Sequence, residues 1–259
     1  IRGHHADVAA LDHTSDGARF ATGARDGSIR VHDAASLRLD LFLPGHSTEV
    51  NGLAWHRGDR ALLAVERGGV VRDWSMPDGR VRWELEMEGV VSEPEILPGE
   101  RAALVSSGGE ILIVGLEDGT RLAAKRDERH RYRSVTLSSD AGSLLVGDLT
   151  GDLVVLDSST LEEKRRVADL HEKEISAIIV DPERRQVITS SLDGSIAFVD
   201  EDSFELRHRT RAGAESHTWQ SDGVEHLALS PDGRVLVAGT HAWLVRLIDP
   251  GSGLSLIHI

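Results

Sequence analysis

Six times in 259 residues the chain repeats one short pattern: a small-residue turn, a short apolar strand, then an aspartate or its substitute. The clearest copies are ARDGSIRVHD (Ala24–Asp33) and SLDGSIAFVD (Ser191–Asp200). In register lie RGGVVRDWS (Arg67–Ser75), SGGEILIVG (Ser107–Gly115), LTGDLVVLD (Leu149–Asp157) and HAWLVRLID (His241–Asp249). The glycine slot falls at Gly27, Gly69, Gly109, Gly151 and Gly194, with Trp243 in the sixth copy, in steps of 42, 40, 42, 43 and 49 residues. A period of roughly 40–45 residues accommodates four short strands and their turns, so each repeat is one four-stranded unit.

A second strand pair precedes each glycine slot, as in VAALDHTSDGARFATGA (Val8–Ala24), YRSVTLSSDAGSLLVGD (Tyr132–Asp148) and VEHLALSPDGRVLVAGT (Val224–Thr240). Ser-Asp-Gly or Pro-Asp-Gly marks the bend, and apolar residues alternate or cluster over four to six positions on either side. No stretch sustains a 3.6-residue apolar period. Leu161–Lys173, with its basic run Lys164-Arg165-Arg166, reads as an outer strand plus loop. The expected class is all-β.

The better copies open with a histidine four residues before a β-branched residue: His4 before Val8, His46 before Val50, His171 before Ile175. On these residues the chain resembles the WD-repeat family of β-propellers, whose repeats carry Gly-His, a turn Asp and a terminal Trp-Asp. The resemblance implies hydrogen bonding within a blade among the His, a Ser/Thr, the turn Asp and the Trp. By position the first repeat supplies His4, Thr22 and Asp26, with His32 in the Trp slot. The fifth supplies His171, Thr189 and Asp193, with Val199 there; the second has His46 and Trp74 but Gly68 in place of the Asp. No repeat has a literal Trp-Asp, and the third matches worst. The resemblance implies blades of four antiparallel strands, six of them visible, in a native ring of seven.

Residues 1–253 are expected to form one propeller, incomplete at one or both ends, since Ile1-Arg2 leads straight into Gly3-His4. Residues 254–259, LSLIHI, resemble the translation of a transposon end sequence used in DNA library preparation and are expected to be non-native. A native outer strand is the alternative. Arginine outnumbers lysine 26 to 3, which suggests a GC-rich, bacterial source.

The formal charge of −14 argues against nucleic acid, which calls for a basic stripe, and against an anionic membrane. The densest basic run, Lys125–Arg133, is broken by Asp127 and Glu128 and reads as a solvated loop between blades. Without cysteine there is neither a thiol nucleophile nor a Cys-ligated metal. No Gly-x-Ser-x-Gly elbow or phosphate-binding Gly-x-x-x-x-Gly-Lys occurs. Of the 13 histidines, His4, His46 and His171 already have structural posts. The closest group, His4-His5 with His13 and Asp12, reads as structural or surface rather than as a metal site. Adjacent acids such as Glu162-Glu163 and Glu201-Asp202 read as solvated turns. No catalytic residue, cofactor or metal is assigned.

The expected function is a non-catalytic protein-interaction platform, with a protein or peptide as partner and room for a fused effector domain outside the segment. Loops bearing the Gly-His and the turn Asp share one face, where His5, Asp7, Arg25, Glu49, Arg67, Glu172 and Lys173 are candidate contacts. Trp219, in the insertion within His208–Gly223, is a further one. The alternative is a propeller enzyme or small-molecule binder with its site at the central channel. Composition leaves the compartment open, with the cytoplasm as the default.

Overall fold

The computed structural model describes residues 3–127, 129–211, 223–242 and 244–258. Every regular element among them is a strand, and the strands form six four-stranded antiparallel sheets. Trp219 and Trp243 lie outside the described residues.

The chain divides into two compact units, residues 1–129 and 130–259. In the first, blade 1 is β1 (Val8–His13), β2 (Arg19–Ala24), β3 (Ile29–Asp33) and β4 (Leu39–Leu43). Blade 2 is β5 (Val50–His56), β6 (Ala61–Glu66), β7 (Val70–Ser75) and β8 (Arg80–Glu86). Blade 3 is β9 (Glu95–Leu97), β10 (Arg101–Val105), β11 (Glu110–Gly115) and β12 (Arg121–Arg126). Its first strand has only three residues because Pro94 and Pro98 flank it, and neither can donate to a ladder.

In the second unit, blade 4 is β13 (Tyr132–Leu137), β14 (Ser143–Asp148), β15 (Leu153–Asp157) and β16 (Glu163–Val167). Blade 5 is β17 (Ile175–Asp181), β18 (Gln186–Ser191), β19 (Ser195–Asp200) and β20 (Leu206–Arg211). Blade 6 is β21 (Val224–Leu229), β22 (Leu236–Thr240), β23 (Val245–Ile248) and β24 (Ser255–His258). Thus residues 255–258 pair with β23 as a fourth strand. Lys125-Arg126 and Tyr132-Arg133 belong to strands, which confines the loop expected over Lys125–Arg133 to 127–131.

The core lies between neighbouring blades of each unit. Ala10, Ala21, Ile29 and Val31 of blade 1 pack on Leu53, Trp55, Leu62 and Trp74 of blade 2. Leu145, Leu153 and Val155 of blade 4 pack on Ile178, Val187, Ala197 and Val199 of blade 5. The glycine slot is set by this stacking. A Cβ on Gly27 would lie 2.5 Å from the His46 carbonyl oxygen, and one on Gly151 would lie 2.2 Å from that of His171. In these two repeats the glycine is where the opening loop of the next one rests.

The aspartate ending a repeat has its own task. Asp33 Oδ1 accepts from Ser36 N at 2.7 Å, and Asp200 Oδ1 from Ser203 N at 2.8 Å, closing the turn into the fourth strand. Four residues after that position the backbone is left-handed in all six blades: Gly79, Gly119 and Gly253, but Leu37, Leu161 and Phe204.

Candidate functional site

At one end of each blade lie the turn between its second and third strands and the loop that opens the repeat. In blade 1 the turn and loop are tied by a chain of bonds. Thr22 Oγ1 lies 2.7 Å from His4 Nε2, His4 Nδ1 lies 2.6 Å from Ser28 Oγ, and Ser28 Oγ donates to Asp26. The other carboxylate oxygen of Asp26 accepts His5 N at 2.8 Å. This order makes His4 neutral, donating from Nδ1 and accepting at Nε2. Burial moves the His4 pKa down accordingly. For Asp26 burial acts upward, but the Ser28 and His5 donors prevail and hold it at about 2.

Blade 5 repeats the arrangement. His171 Nε2 lies 2.8 Å from Thr189 Oγ1, and its Nδ1 lies 2.7 Å from Ser195 Oγ. Asp193 accepts Ser195 N at 2.7 Å and Glu172 N at 2.9 Å. Ser28 and Ser195 went unrecognised in the sequence, although the shared Asp-Gly-Ser string carries the signal.

Blade 2 reaches the same end differently. Its turn has Gly68 where the acid is expected, and Glu66, two residues earlier on β6, takes over. Glu66 lies 2.8 Å from His46 Nδ1, accepts Ser47 N at 3.1 Å and Thr48 N at 3.2 Å, and pairs with Arg72 at 2.6 Å. Trp74 Nε1 then donates to His46 Nε2 at 3.2 Å. The His46 and Glu66 side chains are both fully buried. Burial pushes the His46 pKa down, and it pushes Glu66 up, but His46 and Arg72 outweigh that and hold Glu66 below its usual range.

The acid shifts by the same two places in blade 4, where Asp148 stands two residues before Thr150. It accepts Thr150 N at 2.9 Å and lies 3.3 Å from His130 Nδ1. A further buried pair in blade 2, His56 Nε2 to Asp73 Oδ1 at 2.7 Å, also engages Arg82. Arg82 Nη2 in turn donates to the Glu117 carbonyl of blade 3 at 2.9 Å.

The candidate contact residues are gathered at this end, and several are paired to each other. In the first unit Arg25 lies 3.6 Å from Asp7 and 3.1 Å from Glu49, and Arg67 lies 3.1 Å from Glu49. His5 is exposed. In the second unit Glu172 and Lys173 are exposed beside Glu174. Glu174 and Glu225 flank Arg133 at 3.1 and 2.6 Å, so one arginine joins all three blades of that unit. Glu201 departs from its expected place in a solvated turn: it is buried and accepts Ser139 N at 2.6 Å. Among the described residues no group of three or more His, Asp or Glu is placed to hold a metal ion, and no helix is long and apolar enough to cross a membrane.

Residues 1–33 match the family model of the WD domain, G-beta repeat. The chain is similar to the Set1 complex component swd1 of Schizosaccharomyces pombe, 24% identical over 279 residues, covering 98% of this chain and 68% of that protein. It is similar to protein tipD of Dictyostelium discoideum, 22% identical over 253 residues, covering 97% of this chain and 41% of that one. Target of rapamycin complex subunit wat1 of Schizosaccharomyces pombe is 31% identical over 121 residues, 46% of this chain and 35% of its own length. The chain thus spans less than half of two of these three relatives. All three are eukaryotic and lend nothing to the bacterial source expected from arginine usage. The β-propeller domain of Cps50 (Swd1) from Myceliophteria thermophila superposes with a TM-score of 0.84 at 19% identity, covering 100% of this chain and 87% of that one. The fold is a β-propeller.

Proposed function

We propose that this β-propeller with WD-type repeats is a non-catalytic interaction platform, presenting the opening loops and second turns of its blades to a protein partner. The observation that carries the reading is the fixing of those loops from beneath. The backbone amides of His5 and Glu172 are each held by the turn aspartate of their own blade at 2.8 and 2.9 Å. Loops ordered before binding lose less entropy on docking, so modest contacts suffice for affinity. Salt-linked charges such as Asp7, Arg25, Glu49 and Arg67 add orientation and partner choice more than strength. Two of the relatives are named as members of protein complexes, the Set1 complex and the target of rapamycin complex, which supports a protein partner here. A seven-bladed native ring and an effector domain fused outside these residues belong to the same reading, and the full open reading frame tests both.

The direct test is site-specific photo-crosslinking from positions 5 and 173, with position 162, on the turn at the opposite end of blade 4, as control. Discrete protein adducts from 5 and 173 and none from 162 are expected. Adducts from 162 alone would move the binding surface away from these loops.

A further inference from the structure

We propose that the outer edge between blades 4 and 5 binds an extended acidic segment of a protein partner. Although the chain carries a formal charge of −14, three arginines meet at this edge without a carboxylate partner among the described residues: Arg165 of β16 with Arg209 and Arg211 of β20.

Strand register places them on one side. Arg165 lies opposite Val155 and Arg209 opposite Ala197, and Val155 and Ala197 belong to the apolar cluster shared by blades 4 and 5. Arg211, opposite Ser195, has the same parity as Arg209 and so the same face. Leu206, opposite Val199, joins them and is 47% exposed. Two groups fix the cations without neutralising them. Arg165 stacks over the Phe204 ring at 5.8 Å, and Arg209 donates to the Leu170 carbonyl. Three nearby acids are engaged elsewhere: Glu163 by Arg166 at 3.1 Å, Asp200 by Arg207 at 2.6 Å, and Asp202 by Arg185.

Edge strands commonly carry cations that discourage strand-to-strand aggregation, but the corresponding edge between blades 1 and 2 does not. There Leu41, Glu84 and Glu86 hold the positions of Arg165, Arg209 and Arg211, opposite Val31, Arg72 and Val70 respectively. The basic edge of blades 4 and 5 thus has no counterpart on blades 1 and 2. Three planar guanidinium groups beside Phe204 and Leu206 match a segment that alternates carboxylates with apolar side chains. Three cations on a strongly acidic chain are few for the dense phosphates of a nucleic acid.

This inference rests on the interaction reading but uses a different surface, so the two can fail separately. The 259-residue chain is titrated with a fluorescein-labelled 12-residue peptide of Glu, Asp and Leu. Its lysine-for-acid counterpart and a 20-base-pair DNA duplex serve as comparisons. Binding of the acidic peptide alone is expected, weakened about tenfold or more by R165E/R209E/R211E and kept within about threefold by the three Arg→Lys changes. The pair E49R/R67E, at the loop end of blades 1 and 2, should leave it unchanged. If the triple reversal fails to fold, Arg211→Gln, at an exposed residue with no partner among those described, should still weaken binding about threefold. The proposal is overturned if the wild-type chain ignores the acidic peptide or if a folded reversal variant binds it equally. Tighter binding of the duplex, lost with the same arginines, also overturns it.

Discussion

Glu66 illustrates how one side chain can keep a blade's polar logic while abandoning its sequence signature. Its carboxylate serves His46, Arg72 and two backbone amides. Removing it strands a buried histidine and takes one of the two carboxylates that hold Arg72, so Glu66→Ala should cost about 3 kcal/mol by denaturant titration. Adding Gly68→Asp should recover less than half, because a Cβ at Gly68 already lies 3.1 Å from Thr48 Oγ1. Full recovery would mean that only the charge matters, not its place.

Titration separates two windows. His4 and His46 resist protonation in the fold, so their contribution is complete above pH 6.5 and declines as pH falls below it. The shift of Asp26 from 3.8 to about 2 contributes stability that is present above pH 3.8 and lost on descent toward pH 2. Solvent screening limits that contribution to about 1–2 kcal/mol. Unfolding free energy measured against pH should bend in both windows, and Asp26→Asn should shallow the lower bend, which Asp193 and Glu66 share, while leaving the upper one.

At the scale of the element, the turn into the fourth strand offers a paired test. Leu37 and Leu161 occupy the left-handed position that Gly79, Gly119 and Gly253 fill in other blades. Leu37 is 48% exposed and Leu161 is 2% exposed. Leu37→Gly should therefore stabilise by about 0.5–1 kcal/mol through relief of backbone strain. Leu161→Gly should destabilise by about 2 kcal/mol, because lost burial outweighs the relief. Equal destabilisation by the two, in thermal melts, would remove strain from the explanation. Gly151→Ala, whose Cβ would meet the His171 carbonyl at 2.2 Å, should cost about 2 kcal/mol or more.

The repeat was legible because strands of fixed length alternate with glycines that stacking demands, and because His4, Thr22 and Asp26 keep their family spacing. Glu66 and Asp148 were illegible because each stands two places early, on a strand where an acid reads as one more solvent-facing residue. The left-handed position was hidden where Leu37, Leu161 and Phe204 replace glycine. The contrast between Arg165, Arg209 and Arg211 and Leu41, Glu84 and Glu86 emerges only once strand pairing fixes which outer-strand residues face the next blade.

At the scale of the molecule, each four-stranded sheet keeps its polar bonding at the ends and its apolar faces against a neighbouring blade. In blades 1, 2 and 5 that division pins the backbone of the opening loop, as the proposed display of these loops requires. Arg133, held between Glu174 and Glu225, ties the three blades of the second unit at the end where Glu172 and Lys173 are exposed. The most direct measurement compares proteins co-purifying with the wild-type chain and with a K173E/E49R/R67E variant of unchanged melting temperature. A loss of about tenfold or more in specific partners is the expected result. An identical set of partners at identical yield would contradict the claim that these loops form the binding surface.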